Sequence, residues 1–189
     1  RIVGYDAIPL TPLPKPLHIS LPALSGEQAR VSQLRRAAAA RGLNETYSWG
    51  FCSATQAAAF GGQAEALEVI NPISAELDTM RPSLLPNLID AAKRNVARSQ
   101  RSVALFEFGL QFPTSKEQQL MASGLRYGIH TPKTPLQAER SVDTFDAKAD
   151  AITAIEATGF DASALQIVTP AADWYHPGRS GSLKLGQQI

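Results

Sequence analysis

Residues 102–130 read SVALFEFGLQFPTSKEQQLMASGLRYGIH, and the reading of this stretch decides the fold. SVALFEFGLQF at 102–112 is dense in β-forming and aromatic residues and predicts a long strand; QQLMASGLRYGIH at 118–130 predicts its antiparallel neighbour, across a turn containing Pro113. Long strands that follow each other without a helix between them do not fit the alternating rhythm of a parallel sheet. They predict an α+β domain with a mainly antiparallel sheet flanked by helices.

Upstream, NPISAELDTMRPSLLPNL at 71–88 supplies the approach to that sheet. Asn71-Pro72 ends a strand expected at LEVI, 67–70, because proline donates nothing to a ladder and biases the residue before it away from the helical region. Ser83 is the expected cap of a helix running to about Ser99, with Pro86 in its first turn and Leu85, Leu88, Ile89, Ala92 and Val96 on one face. Earlier still, SGEQ at 25–28 has the form of a capping box, Val31, Leu34 and Ala38 follow at helical spacing, and Gly42 suits the C′ position. NETYSWGF at 44–51 predicts a strand and SATQAAAF at 53–60 a short helix stopped by Gly61-Gly62. Downstream, FDAKADAITAIEATG at 145–159 predicts a helix closed by Gly159, with late strands at LQIVTP, 165–170, and SLKLGQQI, 182–189.

Prolines 9, 12, 14, 16 and 22 make residues 9–24 an extended connector, a boundary that separates residues 1–24 from a main domain over 25–189. The abrupt start at RIVGYDAIPL, without an initiator Met or a secretory signal, suggests a piece of a longer chain. Composition excludes several function classes. With 18 Lys plus Arg against 17 Asp plus Glu, no overall field attracts nucleic acid or an acidic substrate. No apolar run reaches the roughly 20 residues of a membrane span. The single cysteine, Cys52, excludes an internal disulfide and multi-cysteine metal sites; it fits a reducing, cytoplasmic setting and reads as a small buried hydrophobe.

The sequence contains no phosphate-cradling glycine loop, HExxH, GxSxG or paired Cys-x-x-Cys, and His18, His130 and His176 form no ligand set, so no catalytic, cofactor or metal residue is assigned. Lys93, Arg94, Arg98 and Arg101 crowd the end of one helix, where cations complement the helix dipole; an RNA or partner contact is the sharper alternative. Arg81, and the turn HPGRSG at 176–181 with His176 and Arg179, are the remaining unusual features; the turn suits either plain chain reversal or an anion.

Taken in order, INPIS at 70–74, MRPSLLPNLIDA at 80–91, Asn95, Arg98, LFEFG at 105–109 with Glu107 and Gly109, the helix at 145–159 and HPGRSG resemble the β subunit of bacterial phenylalanyl-tRNA synthetases. RIVGYDAIP at 1–9 is similar to the exit of the small domain that precedes the synthetase-like core of that subunit. The resemblance implies a degenerate class II aminoacyl-tRNA synthetase core, a ligase component of protein biosynthesis that pairs with a catalytic α subunit in a cytoplasmic heterotetramer and supports attachment of phenylalanine to its tRNA. ATP and magnesium then belong to the holoenzyme, with no cofactor in this segment. In catalytic members an arginine just after a strand ending in Phe grips the ATP α-phosphate; here Phe112 is followed by Pro113, and the glycine-rich third motif does not occur before Ile189.

On this resemblance Arg81 is structural, tying its turn to the sheet through a carboxylate such as Glu107. The resemblance also implies that the helix over 27–41 lies at the subunit interface, with Arg30, Arg35, Ala37 and Ala40 as contact candidates. Ala149 stands where the family carries Gly in its Asp-x-Lys-Gly helix start, and the family's magnesium-binding, editing and tRNA-binding parts lie upstream of Arg1. The alternative is a free-standing small-molecule or anion-binding domain of the same fold, using Arg81 and HPGRSG.

Overall fold

The computed structural model describes residues 4–13, 22–62, 67–169 and 171–186. Part of the expected proline connector, 14–21, lies outside them, as does the end of the last expected strand at 187–189. Residues 4–13 hold a 3-10 turn at Tyr5–Ala7 and are exposed throughout.

The opening stretch forms the expected pair. Strands β1 (Asn44–Glu45), β2 (Phe51–Cys52) and β3 (Thr79–Met80) precede β4 (Ser102–Thr114) and β5 (Glu117–Thr131). β4 and β5 are antiparallel in continuous register from Ser102↔Gly128 to Gln111↔Gln119. β1 adds in parallel along β4 and β6 (Arg140–Ser141) antiparallel along β5, giving the order β1-β4-β5-β6. Pro113 lies inside β4 rather than in the turn, which falls at Ser115-Lys116, and the register shifts between Gln111 and Thr114. A residue without an N–H cannot hold its rung of a ladder, so the pairing breaks around it.

Period-two alternation sends the two faces of β4 to opposite cores. Val103 and Leu105 pack with Leu88 and Ala92 of the helix Leu85–Ala97. Phe106 and Phe108, edge to face at 5.9 Å, pack with Leu43 and with Val31, Leu34 and Ala38 of helix α1 (Gly26–Ala40). α1 begins on the anticipated capping box between Ser25 and Gln28, and Gly42 follows it at φ 79. Helix α2 (Ala54–Ala59) carries a second capping box from Ser53 and Gln56. In α3, the Leu85–Ala97 helix, the cap position falls on Leu84 and not on Ser83, whose Oγ accepts from the Leu85 N–H at 3.2 Å. α3 ends at Ala97 and not at Ser99, which takes a left-handed φ of 66. Helix α4 (Thr144–Ala157) is capped by Asp143 and followed by Gly159 at φ 91. β7 (Leu165–Val168) and β8 (Ser182–Leu185) form a separate antiparallel hairpin.

Two expected strands are corrected. Of NETYSWGF only the ends are laddered, as β1 and β2, because beyond Thr46, whose N–H donates to the Phe106 carbonyl at 2.8 Å, the chain turns away from β4. LEVI is no strand: Glu68 makes an isolated bridge to Thr79, Val69 N–H donates to the Asp78 carbonyl at 2.7 Å, and the chain is exposed from Ile70 through Asn71-Pro72.

A charged clip fastens the helices to the sheet. Asp150 of α4 accepts from Arg41, which follows α1, at 2.7 Å and from Arg126 of β5 at 2.5 and 3.0 Å; Arg126 also donates to the Arg41 carbonyl at 2.7 Å. Burial pushes the Asp150 carboxyl up, but hydrogen bonds and charge from Arg126 and Arg41 outweigh it and hold the group below its ordinary value. A carboxylate lowered in the native state contributes stability that is present above its unfolded pKa of about 3.9 and is lost as pH falls through the native value. Asp150→Asn therefore lowers the unfolding free energy at neutral pH, and the gap to the native sequence narrows in urea melts taken below about pH 4. A gap independent of pH contradicts this. Opposite the start of β4, Gly128 of β5 sits at φ 84 where an added Cβ would collide with the Arg101 carbonyl. Gly128→Ala is expected to cost about 1–3 kcal/mol in the same melts.

Candidate functional site

The sequence places one guanidinium, Arg81, directly after the short strand β3 and one carboxylate, Glu107, in the middle of β4. The structure joins them. Arg81 Nη1 donates to Glu107 Oε1 at 2.8 Å, and the two side chains are only 4% and 3% exposed. Ser48, on the segment that has left the sheet, closes the triangle: its Oγ accepts from Arg81 Nη1 at 2.8 Å and donates to Glu107 Oε2 at 2.5 Å. Arg81 Nε donates to the Leu110 carbonyl at 2.9 Å.

The backbone of Arg81 completes the junction. Its N–H donates to the Gly50 carbonyl at 3.0 Å and its carbonyl accepts from the Phe112 N–H at 2.9 Å. Main chain and side chain of one residue thus satisfy the free edge of β4 at Leu110 and Phe112, in the place of a neighbouring strand. Gly109 is required here: a Cβ on it would collide with Arg81 Nη2 and lie 3.1 Å from Glu107 Oε1. Buried charges persist where they are paired and hydrogen-bonded, and here Glu107, Ser48 and the Leu110 carbonyl take the bonds from Arg81 Nη1 and Nε.

Asn71, Pro72, His176 and Arg179 are not brought to this cluster; among the described residues they are exposed and share no hydrogen bond or ion pair with it. HPGRSG folds onto itself. His176 Nδ1 accepts from the Gly178 N–H at 3.1 Å, and the His176 carbonyl accepts from Arg179 N–H at 3.0 Å and Ser180 Oγ at 2.7 Å. Just before it, Trp174 packs over Gly61 and lies 6.0 Å from the Phe60 ring, so the turn hangs from the end of α2.

The four candidates on α1 divide. Arg30 and Ala40 are exposed. Ala37 faces inward, toward Ala151 and Ala154 of α4 across a cavity, and is a neighbour of the chain's own helix. Arg35 is held in place, donating to Glu45 at 2.7 Å and to the Tyr47 hydroxyl at 2.9 Å, with its guanidinium 5.8 Å from the Phe108 ring centroid. Tyr47 is 76% exposed, and Trp49, two residues on, is 64% exposed.

Several polar groups had no sequence signature. Ser48 is one. Asp78 is another, accepting from the Ala54 N–H and from Thr79 Oγ1, both at 2.9 Å, and so tying α2 to β3. Cys52 beneath them has its thiol pushed up to about 11 by burial, with Asp78 adding, which makes it unreactive as a nucleophile. The basic cluster at and beyond the end of α3 is partly neutralised, Lys93 lying 3.8 Å from Asp90 and Arg101 3.5 Å from Glu139.

The sheet with its crossing helices resembles the structure of Desulfitobacterium hafniense PylSc, a pyrrolysyl tRNA synthetase, at a TM-score of 0.52 and 16% identity, over 76% of this chain and 48% of that one. The fold is therefore that of a class II synthetase-like core. Residues 13–189 match the phenylalanyl tRNA synthetase beta chain CLM domain, and the chain belongs to that family. It is 48% identical to the phenylalanine-tRNA ligase beta subunit of Paramagnetospirillum magneticum over 190 residues, 44% to that of Bartonella henselae over 195, and 42% to that of Rhodospirillum rubrum over 192. In each case the alignment takes in 100% of this chain and 24% of the relative, so the chain spans about a quarter of the length of these relatives.

Removing one partner of a buried pair strands the other. Arg81→Ala is expected to lower the unfolding free energy by about 3–5 kcal/mol, read by chemical denaturation. A melt within about 1 kcal/mol of the native one contradicts the structural role.

Proposed function

We propose that this segment is a noncatalytic, synthetase-like scaffold in a cytoplasmic phenylalanine-tRNA ligase β subunit, pairing with the catalytic α subunit of a heterotetramer and supporting attachment of phenylalanine to its tRNA without doing chemistry. One observation carries the reading. At the end of β4, where catalytic members place the arginine that grips ATP, stands Pro113, at the break in register. Its ring offers neither charge nor an N–H to a phosphate. The nearest conspicuous cation, Arg81, is 4% exposed and committed to Glu107, Ser48 and Leu110, which also argues against the free-standing anion-binding alternative. In this reading ATP and magnesium are handled elsewhere in the holoenzyme, and tRNA is a partner of the holoenzyme. Among the described residues no helix is long and apolar enough to cross a membrane.

The α-subunit contact runs along the outer edge of α1, through Arg30 and Ala40, and on to Tyr47, whose hydroxyl Arg35 holds, and to the exposed Trp49 two residues further on. Exposed Tyr and Trp, here with the Tyr fixed by an arginine, are the residue types that anchor interfaces. Ala37 is not part of it.

Two outcomes are expected. Calorimetry on this chain gives no saturable ATP binding tighter than about 1 mM, a level worth roughly 4 kcal/mol; a tighter isotherm contradicts the noncatalytic reading. In the full-length β chain, Ala40→Glu combined with Trp49→Ala weakens association with the α subunit at least tenfold while the β chain stays folded. Unchanged association moves the interface elsewhere.

A further inference from the structure

On the side of the sheet away from Arg81, an open cavity of about 240 Å³ lies between α1, α4 and the strands β4 and β5. Its walls are apolar and small: Ala37 and Ala38 on one helix face Ala151 and Ala154 on the other, with Phe106 and Phe108 on the strand below. An apolar cavity of about 150 Å³ accepts a benzene, so this one has room for a six-membered ring with a short tail. It is smaller than the pockets of drug-sized ligands.

The polar wall is what gives the cavity a chemical preference. Arg41, Arg126 and Asp150 all line it. Two guanidiniums share one carboxylate there, leaving one positive charge in excess at the edge of an apolar space. Asp150 is occupied on both oxygens, Oδ1 by Arg41 Nε and Arg126 Nη2 and Oδ2 by Arg126 Nε. Arg41 uses only Nε in this clip and keeps its terminal nitrogens for another acceptor. A ligand ammonium would have to displace an arginine from Asp150, whereas a ligand carboxylate completes the charge count.

We propose that this cavity binds a small monocarboxylate with a compact cyclic or branched apolar body, its carboxylate on Arg41 and its body against Phe106, Phe108 and the alanines of α1 and α4. The site is separate from the Arg81 junction and from the outer edge of α1, and the proposal does not depend on the subunit pairing described above.

The probe is cyclohexylacetate, with the neutral 2-cyclohexylethanol as its control, titrated into the full-length protein that carries this segment. Calorimetry is paired with NMR of methyl groups labelled at Leu34, Leu43 and Ala151. The expected result is saturable binding of the acid below about 1 mM, with shifts at those three methyls. Ala151→Leu, which fills the space, weakens it at least tenfold without lowering the melting temperature. Arg41→Gln weakens the acid at least tenfold and leaves any binding of the alcohol within twofold. No saturable binding of the acid up to about 10 mM, or binding that leaves the three methyls unmoved, overturns the proposal without reference to any variant. Equal affinity for acid and alcohol in the native protein overturns the charged half of it, and with it the ligand class.

Discussion

A buried guanidinium must find partners for its donors or the fold cannot contain it, and the arrangement around Arg81 follows from that constraint. Glu107 supplies the countercharge, Ser48 bridges the two, and the Leu110 carbonyl accepts from Arg81 Nε. The consequences reach in three directions. The segment after β1 leaves the sheet so that Ser48 can reach Glu107. The edge of β4 closes on Arg81 where a strand would otherwise lie. Position 109 is a glycine because the guanidinium occupies the space a side chain would fill.

The same constraint bears on function. A residue that satisfies a sheet edge with its backbone and a carboxylate with its side chain has little left for a substrate, and loosening it exposes both. Pro113, a few residues further along β4, is compatible with a strand end that has only to stop, whereas a phosphate-gripping site requires a cation held there. The chain thus keeps the class II framework and uses its charged residues to fasten that framework: Arg81 to Glu107 on one face, Arg41 and Arg126 to Asp150 on the other, and Arg140 to Asp146 at the start of α4. Arg140 donates to both oxygens of Asp146 at 2.8 and 2.7 Å, and that hydrogen bonding holds the Asp146 carboxyl well below the usual carboxylate range.

Much of this was legible in the sequence because it is local. The alternation in SVALFEFGLQF, the capping box of SGEQ and the glycines at 42 and 159 act over a few residues and are written in a few residues. The oddity of a guanidinium between a turn and a helix drew attention to Arg81, and the family resemblance implied its tie to Glu107; Ser48 was not anticipated, because a serine in a strand-like run looks the same whether it faces solvent or a buried ion pair. NETYSWGF misled for a related reason: its propensity is that of a strand, but the edge it would have paired with is taken by a residue distant in sequence. On α1 the alanines gave no direction. Ala37 and Ala40 have the same propensity, and only the position of α4 decides that one is inside and the other outside.

The central claim is that Arg81 and Glu107 act as one buried unit on which the edge of β4 depends, and a double-mutant cycle tests it most directly. Arg81→Leu, Glu107→Leu and the double variant are unfolded in urea alongside the native protein, and the coupling is taken from the four free energies. Each single variant leaves an unpaired buried charge, while the double variant leaves none. The account predicts a coupling of at least about 2 kcal/mol, the double variant being far less destabilised than the sum of the singles. Additive losses, within about 0.5 kcal/mol, would show that the two residues stabilise the fold independently and would contradict it.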